Sequence, residues 1–324
     1  MQNRKQKTEM TNTSLYIVVP CYNEQDIIKE TAIILYNKIS TLIENNKISS
    51  DSKILFVDDG SKDNTWQIIE ELHKENQIFC GICLSRNKGH QNALLAGLMT
   101  AKDYADATIS MDADLQDDVQ TIDKMLDKYF EGYEVVYGVR SSRKKDTFFK
   151  RNSALIFYKI MKFLGTEIVC NHSDFRLMSK KSLEGLAEFK EINLFLRGLV
   201  PMVGYKSMSI EYKRKERFAG KSKYPFGKML SFAIDGITSF SIKPIIFIAR
   251  LGLVIFFVSL IALVYTIMKN FSGEVVLGWS SLMASLWLLG GLQLFAIGII
   301  GEYIGKIYME TKQRPRYIIS KRLL

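Results

Sequence analysis

The sequence predicts an α/β protein, a mostly parallel sheet covered by helices, followed by an amphipathic interfacial helix and two membrane-crossing helices. Three observations carry this expectation. Through the first 200 residues, short β-rich runs alternate with helical stretches, the pattern of a sheet built from βαβ units. Polar clusters follow the first four predicted strands directly, where ligands of such sheets bind. Near the C-terminus, Leu251–Met268 and Val275–Gly301 hold 18 and 27 residues without a charge. Each is long enough to cross a hydrocarbon core of roughly 30 Å.

Taken in order, Met1–Ser14 is polar, lacks an apolar core and is expected to be a disordered lead-in without a signal peptide. Strands are expected at Leu15–Val19, Ile54–Val57, Ile78–Leu84, Ala107–Met111 and Glu134–Val139. Between them Gln25–Glu44, Asn64–Glu75, His90–Ala101 and Val119–Phe130 carry helical periodicity. Of the four cysteines, Cys21, Cys80, Cys83 and Cys170, only Cys80 and Cys83 have metal-like spacing. They sit in the apolar run Ile78–Leu84 with no second Cys or His pair nearby, which favours a buried strand with reduced thiols. From Pro225 to Lys243, Phe226, Leu230, Ala233, Ile237 and Phe240 recur at steps of four and three, the stripe of a helix lying in a membrane interface. The expected domains are therefore 1–14, 15–224, 225–243, a hairpin over 244–305, and a basic tail over 306–324. Ser281 and Ser285, like Gly301 and Gly305, are four apart, a spacing that permits close helix contact within the hairpin or between subunits of a homo-oligomer.

The chain of 324 residues has 44 basic and 34 acidic side chains, a net charge of +10, and a mean hydropathy of +0.01. Both averages conceal segregation. Val139–Arg151, Tyr205–Lys223 and Lys306–Arg322 together carry +15, leaving −5 for everything else. Focused positive charge points to anionic partners. The hydrophobic hairpin excludes a soluble nucleic-acid binder and leaves phosphates and a membrane surface. The link Lys269–Glu274 holds one Lys while the outer flanks are strongly basic, so both ends, and the N-terminal domain with them, are expected on the cytoplasmic side of a multi-pass membrane protein.

Asp112 and Asp114 flank one small residue at the end of a predicted strand, which allows both side chains to point to one side. Two adjacent carboxylates repel, and a divalent cation relieves that cost; all-oxygen ligation suits Mg²⁺ or Mn²⁺. Gln116 offers a further carbonyl oxygen. A solvated acidic loop is the alternative, since Asp117 and Asp118 continue the run.

The strings IVVPCYNE, FVDDGS, SRNKGHQNALLAG, MDADLQD, YGVRSSR, DFRLMS and RFAGKSKY, in this order and followed by two apolar stretches, closely resemble family 2 glycosyltransferases acting on polyprenyl phosphates. The bacterial bactoprenol glucosyltransferases are the nearest group and dolichyl-phosphate mannose synthases are cousins. The resemblance implies a GT-A fold and inverting transfer of a sugar, most often glucose from a UDP-linked donor, to a lipid phosphate. It implies that Pro20, Tyr22, Glu24 and Asp59 hold the base and ribose, with Asp112 near the nucleotide. It implies that Asp114 and Gln116, with Asp112, ligate the metal. Arg140, Arg151, Arg217 and Lys223 match basic positions around the donor diphosphate and the acceptor phosphate. Asp174 matches the proposed catalytic base, and Asp114, Arg140 and Arg151 join it in the catalytic set. Relatives often read DPP where this chain has Asp118-Val119. His90, at a helix start, caps it, packs or contacts the nucleotide.

Elementary chemistry modifies one of these roles. The second pKa of a phosphate monoester is about 6, so the nucleophile is mostly dianionic at neutral pH and has little proton to give. Asp174 is accordingly expected to orient Arg176, another basic neighbour or the acceptor. Competing readings are another donor (UDP-N-acetylhexosamine, GDP-mannose or aminoarabinose), a diacylglycerol acceptor, or a membrane-tethered nucleotide-sugar sensor. A processive polysaccharide synthase fits poorly, for the sequence has no Q-x-x-R-W string.

Overall fold

The computed structural model describes residues 13–140, 172–192, 195–213, 243–271 and 278–324. The chain divides into two compact units, one holding all the strands and the shorter helices, the other the two long C-terminal helices. In the first unit the elements run β1 (Leu15–Cys21), α1 (Ile28–Glu44), β2 (Lys53–Asp58), α2 (Thr65–Glu75), β3 (Phe79–Leu84), α3 (His90–Ala101), β4 (Ala107–Ser110), α4 (Thr121–Phe130) and β5 (Val135–Arg140). They continue with β6 (His172–Ser179), α5 (Lys180–Ala187), α6 (Leu196–Met202) and β7 (Ser207–Tyr212). The second unit holds α7 (Lys243–Phe271) and α8 (Trp279–Thr311), after which β8 (Ile319–Leu323) returns to the first.

The sheet order is β7-β5-β6-β4-β1-β2-β3-β8. β1 lies parallel to β2 on one side and β4 on the other, and β2 is parallel to β3. The chain thus winds away from β1 in two directions, and the carboxyl ends of β1 and β4 flank the switch point where open α/β sheets bind ligands. β6 is antiparallel to both β4 and β5. This reversal brings the start of β6 alongside the end of β4: Ser110 pairs with Arg176.

Alternation along the central strands explains the two-sided core. Leu15, Ile17, Val19, Ile54 and Phe56 pack with Ile28, Leu35 and Ile39 of α1 and Ile69 of α2. Val18 and Val57 point the other way, toward α3. α3 is buried along most of its length and approaches closely because Gly97 has no side chain: a Cβ there would stand 2.4 Å from Val18 Cγ1 and 2.6 Å from Val57 Cγ2.

The five expected strands and four expected helices are all present, with ends shifted by up to three residues. Three strands fall where none was expected. β6 carries Asp174 and Arg176 within its buried stretch, so its alternation is broken by charge. β7 is an edge strand, mostly exposed. β8 forms inside the expected tail 306–324, antiparallel to β3. Lys321 there pairs with Glu70 at 3.2 Å and lies over the Trp66 ring, and Ser320 donates to the Cys83 carbonyl at 3.0 Å. Charges on an outer strand are ordinary, since one edge faces water. Cys80 and Cys83 lie in β3 as anticipated, and the three described cysteines, Cys21, Cys80 and Cys83, are all free thiols.

α7 and α8 are 29 and 33 residues long. Among the described residues one stretch, Leu288–Thr311, is long and apolar enough to cross a membrane. The interfacial helix expected at 225–243 lies outside the described residues except for Lys243.

Gly97→Ala is expected to lower stability by about 1–3 kcal/mol through overpacking against Val18 and Val57. Chemical unfolding of the full chain in detergent checks this; an unchanged midpoint would refute the packing argument.

Candidate functional site

The rim over the switch point is assembled by hydrogen bonds between loops. After β1, Asn23 adopts φ +54°, donates its N–H to Ser61 Oγ at 2.9 Å and accepts from the Lys62 N–H at 2.9 Å. The Glu24 N–H donates to Thr65 Oγ1, also at 2.9 Å. The loop after β2 is tied in turn to the loop after β3, because Asp59 accepts from the backbone N–H groups of Lys88 and Gly89 at 2.7 and 2.8 Å. Gly60, at φ +66°, lets the two loops touch: a Cβ would lie 2.7 Å from the backbone of Arg86 and Asn87. Burial pushes the Asp59 carboxyl upward, and the two backbone donors draw it back.

Within this rim Tyr22 stands half exposed and Glu24 is partly buried, whereas Pro20 is buried inside β1. Asp59 is only 2% exposed and both its oxygens accept from backbone, which fastens the loop after β3 to the loop after β2.

The acidic loop follows β4. Thr31 of α1 donates to the Ala113 carbonyl at 2.8 Å, and Leu115, at φ +55°, turns the chain so that the Gln116 N–H reaches back to Asp114 Oδ1 at 3.2 Å. A left-handed residue other than glycine costs about 1 kcal/mol or more. The Gln116 side chain is buried, and its Oε1 has no hydrogen-bond donor among the described residues. No group of three or more His, Cys, Asp or Glu that could hold a metal occurs among the described residues. The available set is instead two carboxylates and an amide oxygen, Asp112, Asp114 and Gln116. A buried amide oxygen without a donor among the described residues, in the same loop as two carboxylates, fits the oxygen ligation of a hard divalent cation. Burial pushes the Asp112 carboxyl up, repulsion from Asp174 and Asp114 adds to this, and His90 opposes it. Asp117 is buried as well. Its Oδ1 accepts from the Tyr212 hydroxyl, its Oδ2 lacks a partner among the described residues, and burial followed by the Asp112 charge raises its pKa to about 6. Arg140, at the end of β5, lies near enough to oppose that rise, and its Nε is buried without a partner among the described residues.

Beside the acidic loop lies a compact ionic cluster. Asp174 accepts from Arg176 Nη2 at 3.0 Å, from Arg197 Nε at 3.3 Å and from Arg197 Nη2 at 3.1 Å. His90 Nε2 is 3.4 Å from Asp174 Oδ2 and 3.7 Å from Asp112 Oδ1, so it joins the two acidic groups. Ser110 donates to the Asp174 carbonyl, fixing that backbone against β4. Although burial favours the neutral acid, Arg197, His90 and Arg176 outweigh it and hold the Asp174 carboxyl well below the ordinary carboxylate range. Burial lowers the His90 pKa and the carboxylates of Asp174 and Asp112 raise it, with the net shift upward.

Of the residues expected from sequence, Tyr22, Glu24, Asp59, Asp112, Asp114, Gln116, Arg140 and Asp174 lie at or beneath the ends of β1, β2, β4, β5 and β6. Arg151, Arg217 and Lys223 lie outside the described residues. His90 is the first residue of α3 and lies beside the carboxylates of Asp112 and Asp174, a pairing that the sequence reading did not include. Arg197 was missed entirely, and Arg176 was expected only as a neighbour to be oriented. The available signal was a single charge interrupting an apolar run, Leu196-Arg197-Gly198-Leu199-Val200 in one case and Phe175-Arg176-Leu177-Met178 in the other.

A family model described as glycosyl transferase family 2 matches residues 16–186, and one described as the GtrB C-terminal hairpin matches residues 243–307. The chain is 56% identical over 306 residues to an uncharacterized glycosyltransferase, YkoT, of Bacillus subtilis, covering 94% of this chain and 91% of that one. It is 39% identical over 307 residues to a prophage bactoprenol glucosyl transferase homolog of Escherichia coli, covering 94% and 98%. With a bactoprenol glucosyl transferase of Shigella phage SfX it shares 38% identity over 308 residues, again covering 94% and 98%.

Arg176 has no exposed surface. Replacing it by Met leaves the buried Asp174 short of one counter-ion, and Arg176→Met is expected to cost about 3 kcal/mol of stability. An unfolding midpoint equal to the wild type's would contradict the cluster described above.

Proposed function

Because the chain belongs to glycosyl transferase family 2, we propose that it transfers a hexose, glucose from UDP-glucose, to polyprenyl phosphate with inversion at the anomeric carbon. The observation that carries this reading is that similarity to proteins named bactoprenol glucosyl transferases runs through both the catalytic unit and the C-terminal hairpin. The acceptor phosphate oxygen forms its bond to the anomeric carbon as the bond to the diphosphate breaks, and the nucleoside diphosphate departs with the electron pair.

The parts of the site divide that work. Tyr22 and Glu24 present the rim to the nucleotide, and Asp59 acts through the loop it holds, with Pro20 buried in the strand beneath. Asp114 and Gln116, with Asp112, would hold the divalent ion, Mg²⁺ or Mn²⁺. When bound, the ion supplies positive charge to the leaving diphosphate as negative charge gathers there. Arg140, Arg151, Arg217 and Lys223 surround the donor diphosphate and acceptor phosphate in this reading, adding fixed donors whose value is greatest in the transition state.

Asp174 is not the general base. Its carboxylate is held ionised by Arg197, His90 and Arg176, which makes it a weak proton acceptor, and a dianionic phosphate needs none. The lipid acceptor and the match to the GtrB hairpin support α7 and α8 as a two-span membrane anchor at the cytoplasmic membrane, with both ends on the cytoplasmic side. The small-residue spacing in α8 supports a homo-oligomer.

Membranes containing the protein, incubated with labelled nucleotide sugars, polyprenyl phosphate and Mg²⁺ or Mn²⁺, are expected to yield a chloroform-soluble labelled product with UDP-glucose. Nucleotide binding without such a product from any donor would favour a sensor. A chelator is expected to abolish product formation and either metal to restore it. For Asp174→Asn, transfer is expected to fall at every pH, while the acidic limb near the acceptor's second pKa of about 6 persists as in the wild type. Loss of a limb specifically in that variant, with binding unchanged, would restore the base role.

A further inference from the structure

The acidic loop is anchored from two sides. Upstream, Thr31 of α1 donates to the Ala113 carbonyl at 2.8 Å; downstream, the Tyr212 hydroxyl of β7 donates to Asp117 Oδ1. Asp114, the left-handed Leu115 and Gln116 span the interval between these anchors. A residue strained in this way persists only where its surroundings over-determine it. The downstream anchor comes from the margin of the sheet. Tyr212 ends the edge strand β7, whose other residues are exposed or half-buried, while it is itself 3% exposed. β5 and β6 separate β7 from β4, so the hydroxyl meets a loop that leaves the sheet well inside its edge, at a residue 95 positions earlier. The ring is placed independently of the hydroxyl, edge-on to Phe175 with centroids 5.4 Å apart and planes at 84°. Gly138 makes room for Phe175 there: a Cβ would stand 2.8 Å from Phe175 Cδ1.

We propose that Tyr212 is a positioning residue for the divalent ion: by holding Asp117 it fixes the turn that presents Asp114 and Gln116 to the cation. The proposal rests on the metal-dependent transfer given above. Two physical points favour it over simple packing. A phenylalanine would fill the same place against Phe175, and burying a hydroxyl with a carboxylate adds little net stability over two apolar groups of the same shape. What the pair adds is direction. The second point is the state of Asp117, which is 2% exposed and whose Oδ2 has no partner among the described residues. Without the Tyr212 hydroxyl the buried carboxylate loses this hydrogen bond and has to turn toward another donor or water. Asp117 follows Gln116 directly in the chain, and the Gln116 N–H is 3.2 Å from Asp114 Oδ1, so such a turn displaces both expected ligands. Tyr212 lies outside every string that carries the family resemblance. Its link to the loop comes from the sheet topology.

The test uses the full-length protein in detergent and reads Mn²⁺ binding directly, in the presence of UDP, from the loss of the electron paramagnetic resonance signal of the free ion. Tyr212→Phe keeps the ring and removes the hydroxyl. Its Mn²⁺ affinity is expected to fall about 10-fold or more, the range for losing a group that orients a metal ligand. UDP affinity measured in a chelator and KM for a short-chain polyprenyl phosphate are expected to stay at wild-type values, and saturating Mn²⁺ to restore most of kcat. Asp117→Ala and the double variant complete a cycle: once Asp117 is gone, Tyr212→Phe is expected to change Mn²⁺ affinity by no more than about twofold. An unchanged Mn²⁺ affinity in Tyr212→Phe would overturn the assignment. So would a loss in the double variant as large as in the single one, since the hydroxyl would then act through another partner. A Tyr212→Phe protein unfolded at the assay temperature would also overturn it, by giving the hydroxyl a role in the fold alone. Should the wild type bind Mn²⁺ but make no lipid-linked product with any donor, the proposed reaction falls while these affinities still decide the role of Tyr212. Absence of Mn²⁺ binding to the wild type would overturn the metal site and this inference with it.

Discussion

A guanidinium cut off from water must share its charge with an acid, and Arg176 does so with Asp174. Much of the site's geometry follows from that requirement. Burying one unpaired charge costs several kcal/mol, so the carboxylate has to be present and ionised wherever Arg176 goes. Two residues apart on β6, the pair is then held by the antiparallel run of that strand along β4, where Ser110 binds the Asp174 carbonyl. The same Arg176 reaches the carbonyl of Leu196, and the same Asp174 reaches Arg197, so the first residues of α6 are fastened to the sheet through ions. An interaction required by burial doubles as the scaffold of an exposed cation.

His90 connects this cluster to the acidic loop, with Asp112 at 3.7 Å and Asp174 at 3.4 Å from one imidazole nitrogen. The imidazole thus joins the acidic loop to the ion pairs around Asp174. In a partly buried setting such charges interact more strongly than in water. The sheet brings the two groups together, because the acidic loop follows β4 while β6 enters beside it from the opposite direction.

Particular residues show what can be read from the chain without coordinates. The alternation of Leu15, Ile17 and Val19 with intervening apolar residues marks a strand buried on both faces, and β1 is the strand at the centre of the winding. Asp112 and Asp114 declare themselves by pairing across one small residue, and Gln116 by its nearness to them. Asp59 was legible as a site residue but not as one whose oxygens are both engaged by backbone, since the loop after β3 that supplies the donors lies about thirty positions further on. β8 was illegible because Lys321 and Arg322 read as a tail; their strand exists only because β3 presents an open edge. Arg197 was illegible for a related reason. Its meaning comes from partners 23 and 105 positions away in sequence, counted for it and its neighbour Leu196, and spacing along a chain does not encode such meetings.

The sequence alone determined the fold class, the order of the central elements, the acidic loop and the family, because these depend on local periodicity, turn residues and short contiguous strings. Only the tertiary structure decided that Asp174 is surrounded by cations, that Asp59 serves the loop and that Arg197 belongs to the site. Those depend on which distant segments the sheet topology brings together, and on charges whose state is set by burial rather than by residue type.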